Sequence, residues 1–315
     1  MPNILTITLN PALDMSTSVD AVRPEDKLRC SAPVLDPGGG GTNVARAIRR
    51  LGGDATAFVA LAGFRGQQLA ALLEAEGVPA LPFLLPGETR LSLAVSDRAA
   101  KTQYRFVMPG PSWDDDTSDE LINELNRAVR PGMHVVLSGS QPPGLPNDLP
   151  AQLTQLTQSK GAWLTLDTSG PALESLWDNT KAVPDVLRLD GAESEVLAGH
   201  PLASIDAVAD FARALVASRK AATVVLALGP KGSVLATKGL TLHAVTPEVP
   251  VVSKVGAGDS FVGAFTMTRA TGGDWSDALR LGVAAASAAV MSAATDLCRP
   301  ADVYDLLPKV TITKL

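Results

Sequence analysis

Met133-His134-Val135-Val136-Leu137-Ser138-Gly139-Ser140-Gln141-Pro142-Pro143-Gly144 starts as a short continuous run of apolar residues and ends in a small, polar, glycine- and proline-rich turn. The same succession recurs three times downstream. Trp163-Leu164-Thr165-Leu166 runs into Asp167-Thr168-Ser169-Gly170, and Val186-Leu187-Arg188-Leu189 into Asp190-Gly191-Ala192-Glu193. Thr223-Val224-Val225-Leu226 is followed closely by Gly229-Pro230-Lys231-Gly232. Amphipathic segments near 117–129, 147–160, 172–178 and 204–218 lie between them. Strand then helix, repeated, predicts right-handed βαβ crossovers and a parallel sheet. Runs that are apolar throughout, rather than alternating, predict strands covered on both faces. The polar turns then gather at the carboxyl ends of the strands, the edge where open α/β sheets bind ligands.

Two early segments break this rhythm. Residues 14–36 and 84–108 carry extended stretches, among them Leu91-Ser92-Leu93-Ala94-Val95 and Gln103-Tyr104-Arg105-Phe106-Val107, without intervening helices. Antiparallel pairing into a small β-flap is the simplest reading.

The 315 residues suffice for a self-sufficient core, and a 46% hydrophobic composition excludes a disordered chain. The formal charge of −6 and the lack of any Lys/Arg run argue against general nucleic-acid or anionic-membrane binding. No stretch approaches the roughly 20 apolar residues of a membrane span. The first ten residues lack the basic and apolar regions of a secretory signal. Cys30 and Cys298 make neither a disulfide framework nor a metal cluster, so a reduced, cytoplasmic protein is expected.

Two glycine-rich segments carry the chemistry. In the first, Asp36-Pro37-Gly38-Gly39-Gly40-Gly41-Thr42-Asn43, a helix of about ten residues is expected immediately after four glycines, with Val44, Ala47, Ile48 and Leu51 on one face and Gly52 as its stop. Four glycines cost backbone entropy. Their reading is close approach of the backbone to a ligand, with the Asn43 amide in the first turn; the plain alternative is a flexible turn. A dinucleotide fingerprint is excluded because Asn43 stands where the third glycine belongs and no strand is expected to abut the run. The second segment is Lys254-Val255-Gly256-Ala257-Gly258-Asp259-Ser260-Phe261, opening a helix buried on most sides. Asp259 can be a simple helix cap. Gly256, Ala257 and Gly258, however, leave the first amides uncovered at a positive helix end, an anion site suited to a transferring phosphoryl group. The same dipole is expected to keep Asp259 ionised and able to take a proton from a hydroxyl. No Gly-Lys-Ser/Thr run suggests a P-loop, and His134, His200 and His243 show no metal-ligand spacing.

Together the two segments resemble the two signatures of the PfkB family of ribokinase-like carbohydrate kinases. The likeness extends from Thr8-Leu9-Asn10-Pro11-Ala12-Leu13-Asp14 to the last helices. Lys27-Leu28-Arg29-Cys30, Gln103-Tyr104-Arg105-Phe106-Val107-Met108-Pro109-Gly110 and Ser138-Gly139-Ser140 are similar to its phosphosugar-kinase branch. The resemblance implies one kinase domain over 1–315, an α/β three-layer αβα sandwich with a mainly parallel sheet and a small β-sheet lid that also pairs two subunits. It implies transfer from MgATP to the C1 hydroxyl of fructose 6-phosphate, with tagatose 6-phosphate or fructose 1-phosphate as alternative substrates. A non-catalytic phosphosugar-binding regulator is the alternative of another class.

By the same resemblance Asp259 is the catalytic base and Gly256, Ala257 and Gly258 its anion hole. Asp14, Gly39 and Asn43 match positions that hold sugar hydroxyls, with Gly38 in the same loop. Arg90 and Arg105 match lid residues near the substrate phosphate, Ser140 lines that pocket, and Lys27 matches a basic residue near both ligands. An arginine fork suits phosphate. Gly229 and Gly232 match a nucleotide phosphate loop, with Arg188, Asp190, Ala227 and Gly258 on the same side. Glu193 keeps a family carboxylate, whereas Asp190 stands where asparagine is usual; the pair is expected to reach Mg²⁺ through water. Ala227 stands near a position that is commonly Ser or Thr. Ser253 and Val255 are candidates for a K⁺ site, whose second loop reads Ser292-Ala293-Ala294 in place of Asn-x-Gly.

Overall fold

The computed structural model describes residues 4–177, 182–292 and 296–315. Its strands in chain order are β1 (Ile4–Thr8), β2 (Ala12–Val19), β3 (Val34–Gly38), β4 (Ala55–Ala62), β5 (Ala80–Leu85), β6 (Arg90–Asp97), β7 (Thr102–Val107), β8 (His134–Ser138), β9 (Trp163–Asp167), β10 (Val186–Asp190), β11 (Thr223–Ala227), β12 (Ser233–Thr237), β13 (Leu240–Val245) and β14 (Thr311–Lys314). The helices are α1 (Gly40–Arg50), α2 (Gly63–Ala75), α3 (Asp115–Ala128), α4 (Leu149–Lys160), α5 (Pro171–Glu174), α6 (Gly191–Ala198), α7 (Ile205–Ala217), α8 (Ala257–Ala270), α9 (Trp275–Val290) and α10 (Pro300–Leu306).

Among the described residues, ten strands form one sheet in the order β14-β13-β12-β11-β10-β9-β8-β1-β4-β5. Pairing is parallel from β11 to β5 and antiparallel among β11, β12, β13 and β14. Successive side chains serve opposite faces, as the two-residue period of a strand requires. Val136, Val186 and Val225 join Val44, Ile48, Phe265 and Val283 in a core beneath α1, α2, α8, α9 and α10. Their chain neighbours Val135, Leu187 and Val224 join Leu121, Leu153 and Val208 in a second core beneath α3, α4 and α7. The result is the three-layer αβα arrangement of a ribokinase-like fold.

A separate four-stranded sheet has the order β3-β2-β6-β7. Its two hairpin-like pairs, β2–β3 and β6–β7, are antiparallel, but β2 and β6 join in parallel, in register from Ala12–Arg90 to Val19–Asp97. The purely antiparallel flap expected from sequence is corrected in that respect: β2 and β6 reach the flap by separate excursions from the large sheet, so nothing forces them to run opposite ways.

The chain leaves β1 towards β4 on one side, and β8 later takes β1's other side. This reversal makes the carboxyl ends of β1 and β8 the natural crevice of the sheet. The glycine run fills it. Helix α1 begins at Gly40, inside the run rather than after it, and β3 leads straight into it, contrary to the expectation that no strand would abut. That strand belongs to the small sheet, so the segment is still no dinucleotide-binding βαβ unit. The glycines also have a reason within the fold itself. A Cβ on Gly40 would overlap Ser138 and the Gly139 backbone, one on Gly41 the Ile7 carbonyl, and one on Gly38 the Asp14 carboxylate. Close approach to the protein's own strand ends accounts for the run before any ligand arrives. Gly40→Ala is therefore expected to lose about 1–3 kcal/mol of stability in urea unfolding; a variant as stable as the parent would refute this crowding.

Candidate active site

Asp259 lies in the first turn of α8, whose N-cap Gly256 has φ 75° and whose first turn carries no side-chain cap. Ala257 and Gly258 line a cavity of about 1010 Å³. Asp259 Oδ2 accepts a 2.9 Å hydrogen bond from Asn43 Nδ2, joining the first turns of α1 and α8. The simple-cap reading of Asp259 is thereby set aside: its carboxylate is engaged across the crevice.

Its charge state departs from the sequence-based expectation. Burial, then the neighbouring Asp167 carboxylate, push Asp259 up to about 7, against the Asn43 hydrogen bond and the Arg188 guanidinium; Asp14 adds to the rise. The helix end is outweighed by desolvation and like charge. A carboxyl near 7 is well matched to accepting a proton at neutral pH.

Asp167, at the end of β9, takes Arg188 Nη1 at 3.0 Å on one oxygen and Ser138 Oγ at 2.8 Å on the other. Arg188 is 15% exposed and Asp167 11%. A Cβ on Gly258 would sit 3.2 Å from Arg188, so this glycine lets the guanidinium approach the helix end. Arg188, Asp190, Ala227, Gly229 and Gly232 all line the large cavity, together with apolar Val249, Val251 and Val283. Gly229 and Gly232 flank the turn between β11 and β12, and Gly232 has φ 90° where a Cβ would strike the Ala244 carbonyl.

Asp190 and Glu193 are held close together at the start of α6. They form a capping box on α6: Asp190 Oδ1 accepts from the Glu193 amide at 2.8 Å, and Glu193 Oε2 from the Asp190 amide at 2.8 Å. This explains why Asp is tolerated where Asn is usual, since both are good N-caps. Burial chiefly, with the charges of Asp190 and Asp167, raises the Glu193 pKa. Among the described residues no group of three His, Cys, Asp or Glu side chains can hold a metal ion. The donor set therefore fits an ion held mainly by other oxygens, as Mg²⁺ with waters and phosphates is.

The small sheet supplies a second basin. Asp14, Ser92 and Arg105 line it with Val255. Burial pushes Asp14 up to about 6, opposed by the Ser92 hydrogen bond and by Arg90, Arg105 and Arg46. Arg90 is half-buried and donates through Nε and Nη2 to the Asn10 carbonyl at 3.1 and 3.0 Å. Ser140 Oγ accepts from Asn10 Nδ2 at 3.3 Å, placing it beside Arg90. Gly38 backs onto Asp14, and Gly39, with φ 110°, caps α1. Lys27 is exposed in the segment between β2 and β3. The amides of Val252 and Ser253 donate to the Val290 carbonyl at 2.7 and 3.2 Å, and the Val255 amide to Ser253 Oγ at 3.2 Å. Ser292 Oγ is buried without a partner two residues beyond Val290. Ala293 and Ala294 lie outside the described residues.

The family model described as pfkB family carbohydrate kinase matches residues 7–302. The chain belongs to the pfkB family of carbohydrate kinases. It is thus a phosphotransferase with an alcohol acceptor. It is 39% identical over 300 residues, covering 95% of this chain and 96% of the relative, to ATP-dependent 6-phosphofructokinase isozyme 2 of Escherichia coli (strain K12). It is 32% identical over 259 residues, 82% of this chain and 81% of the relative, to 1-phosphofructokinase of Xanthomonas campestris pv. campestris. A crystal structure of phosphofructokinase-2 from Escherichia coli in complex with potassium matches with a TM-score of 0.92 at 38% identity over 98% of this chain and 99% of that one. The tetrameric inhibited form of the same Escherichia coli protein matches with a TM-score of 0.90, at 38% identity and the same coverage.

Sequence reasoning missed two residues of this kinase's site. Asp167 was visible only as one polar residue at a strand end. Arg46, wholly buried, was not singled out at all. Asp259 has a consequence for stability. Its folded pKa of about 7 exceeds the ordinary carboxylate value, so the native state holds the extra proton between about 4 and 7. Stability is lost as pH rises through that window. Asp259→Asn is expected to stabilise the ligand-free protein by about 2 kcal/mol at pH 8, a gain that shrinks towards pH 4. Urea unfolding at both pH values measures it; a pH-independent difference would contradict the buried charge.

Proposed function

We propose that this kinase transfers the γ-phosphoryl group of MgATP to the C1 hydroxyl of fructose 6-phosphate, giving fructose 1,6-bisphosphate and ADP. The observation that carries the proposal is the position of Asp259. One chain neighbour, Gly258, lines the large cavity, while Asp14 in the small basin contributes to its field. A carboxylate so placed meets the acceptor hydroxyl of one ligand and the phosphoryl group of the other. The C1 oxygen bonds to phosphorus, the β–γ oxygen–phosphorus bond breaks, and the hydroxyl proton passes to Asp259. The Gly256–Gly258 segment presents amides to the charge on the phosphoryl oxygens.

Arg90, Arg105 and Ser140 would hold the sugar's phosphate, with Asp14 and Asn43 on its hydroxyls, and Arg188 and the Gly229–Gly232 turn the nucleotide phosphates. Asp190 and Glu193 would hold Mg²⁺ through water; bound there, the ion offsets charge on the β- and γ-phosphates. The buried Ser292 hydroxyl beside the Val252–Ser253 turn fits a monovalent ion's preference for oxygen, and K⁺ at Ser253 and Val255 belongs to the same proposal. The 39% identity to a 6-phosphofructokinase, against 32% to a 1-phosphofructokinase, supports the 6-phosphate substrate. Tagatose 6-phosphate remains the second reading, differing at one hydroxyl.

The small sheet is proposed as a lid over the sugar and as the surface through which two cytoplasmic subunits pair. Tyr104 and Phe106 on its edge strand β7 are 43% and 50% exposed, apolar side chains of the kind that mark association, and project from the same face as Leu93 and Val95 of β6. Phe106→Glu is expected to convert a dimer to monomer in light scattering; an unchanged mass would place the interface elsewhere.

Asp259→Asn is expected to lower kcat by about 10²–10⁴-fold with the KM of both substrates within a few-fold of the parent. A coupled ADP assay over fructose 6-phosphate, tagatose 6-phosphate, fructose 1-phosphate and fructose should give the highest kcat/KM for fructose 6-phosphate. Unimpaired turnover of the variant would remove the base, and a preference for another sugar would reassign the substrate.

A further inference from the structure

Arg46 heads the fully buried side chains of the described residues by volume, and all three nitrogens of its guanidinium donate hydrogen bonds. Nε and Nη2 grip Glu76 as a fork, at 2.8 Å to Oε2 and 2.6 Å to Oε1. Nη1 donates to the Pro37 carbonyl at 2.9 Å and to Asn43 Oδ1 at 3.1 Å, and Asp36 lies 3.7 Å from Nη2. Arg46 follows Asn43 by three residues on α1, so both project from one side of the helix. Glu76 comes from the C-terminal end of α2, where it is the C-cap.

The arrangement has a directional consequence. An asparagine amide has an acceptor end and a donor end of nearly equal size. A guanidinium can only donate, so it takes the oxygen of Asn43 and turns the amino end towards Asp259 Oδ2. The opposite orientation would set donor against donor at Arg46 and oxygen against carboxylate at Asp259. We infer that Arg46, clamped by Glu76, is a positioning residue for phosphoryl transfer: it fixes the facing of the Asn43 amide and thereby supplies Asp259 with a hydrogen-bond donor.

The inference rests on Asp259 acting as the base. The donor favours the ionised carboxylate. Its loss moves the acidic limb of the kcat profile to higher pH, by about one unit for a charge-assisted hydrogen bond. The other charges facing Asp259, namely Asp167, Arg188 and Asp14, are untouched by the substitutions below. Asp14 also feels Arg46 directly, so one variant must keep the charge.

Arg46→Lys keeps the charge but has no fork to hold Glu76, Pro37 and Asn43 at once. Arg46→Met with Glu76→Met removes the pair without stranding a buried charge. Each is assayed with fructose 6-phosphate and MgATP over pH 5.5–9, alone and in an Asn43→Ala background. The expected result is an upward move of the acidic limb by about one unit, a fall in kcat of about fivefold near pH 7 and about tenfold at pH 5.5, and an unchanged KM for MgATP, since Arg46 and Asn43 do not line the nucleotide cavity. In the Asn43→Ala background the same changes should move the limb no further. Arg46→Lys with the parent's limb, or shifts that add fully to that of Asn43→Ala, would overturn the inference. If the double Met variant does not fold, Arg46→Lys decides alone. Asp259→Asn in the same series separates the two claims: its retained turnover refutes the base, whereas its failure beside an unmoved Arg46→Lys limb refutes only the positioning role.

Discussion

Residues 216 positions apart in the chain meet in the 2.9 Å contact between Asn43 and Asp259, and the rest of the site is arranged around it. The contact exists because α1 and α8 pack closely. Gly263 on α8 permits this: a Cβ there would come 3.0 Å from the Val44 carbonyl and 3.1 Å from the Ala47 side chain. The glycine run at the end of β3 then lets α1 start flush against the ends of β1 and β8. Backbone crowding in two places thus fixes one polar contact.

Around that contact the protein concentrates negative charge. Asp167 and Asp14 both raise the proton affinity of Asp259, which Arg188 opposes, while Arg90, Arg105 and Arg46 act on Asp14. A kinase that binds two polyanions gains from this in a specific way. A carboxylate held near neutrality in its affinity for protons can accept one without being a strong base, and the cationic groups remain for the phosphates.

How much of this was legible depends on whether the signal was local. The runs at 135–137, 163–166, 186–189 and 223–226 announced buried strands, and the polar turns after them announced the ligand edge. Helix α6 was hidden because Asp190-Gly191 reads as a turn; only the side-chain cap on the Glu193 amide turns it into a helix start. The glycine run was legible as a place of close approach, but its neighbours within the fold, Asp14 and the ends of β1 and β8, were not, since sequence cannot place them. The ionisation of Asp259 was misjudged because a helix end is visible in sequence and Asp167, 92 residues earlier, is not. Arg46 gave no signal at all. A buried arginine and a surface one are spelled identically.

The strand order has one further consequence. The large sheet is open, and β5 forms its outer edge beside β4. Leu81 and Leu84 on that strand are exposed, which would invite a foreign chain to add on and start a fibre-like stack. Pro82 sits between them and has no amide hydrogen to offer. The rim that looks most adhesive is thus interrupted in its middle, where an incoming strand would find no donor.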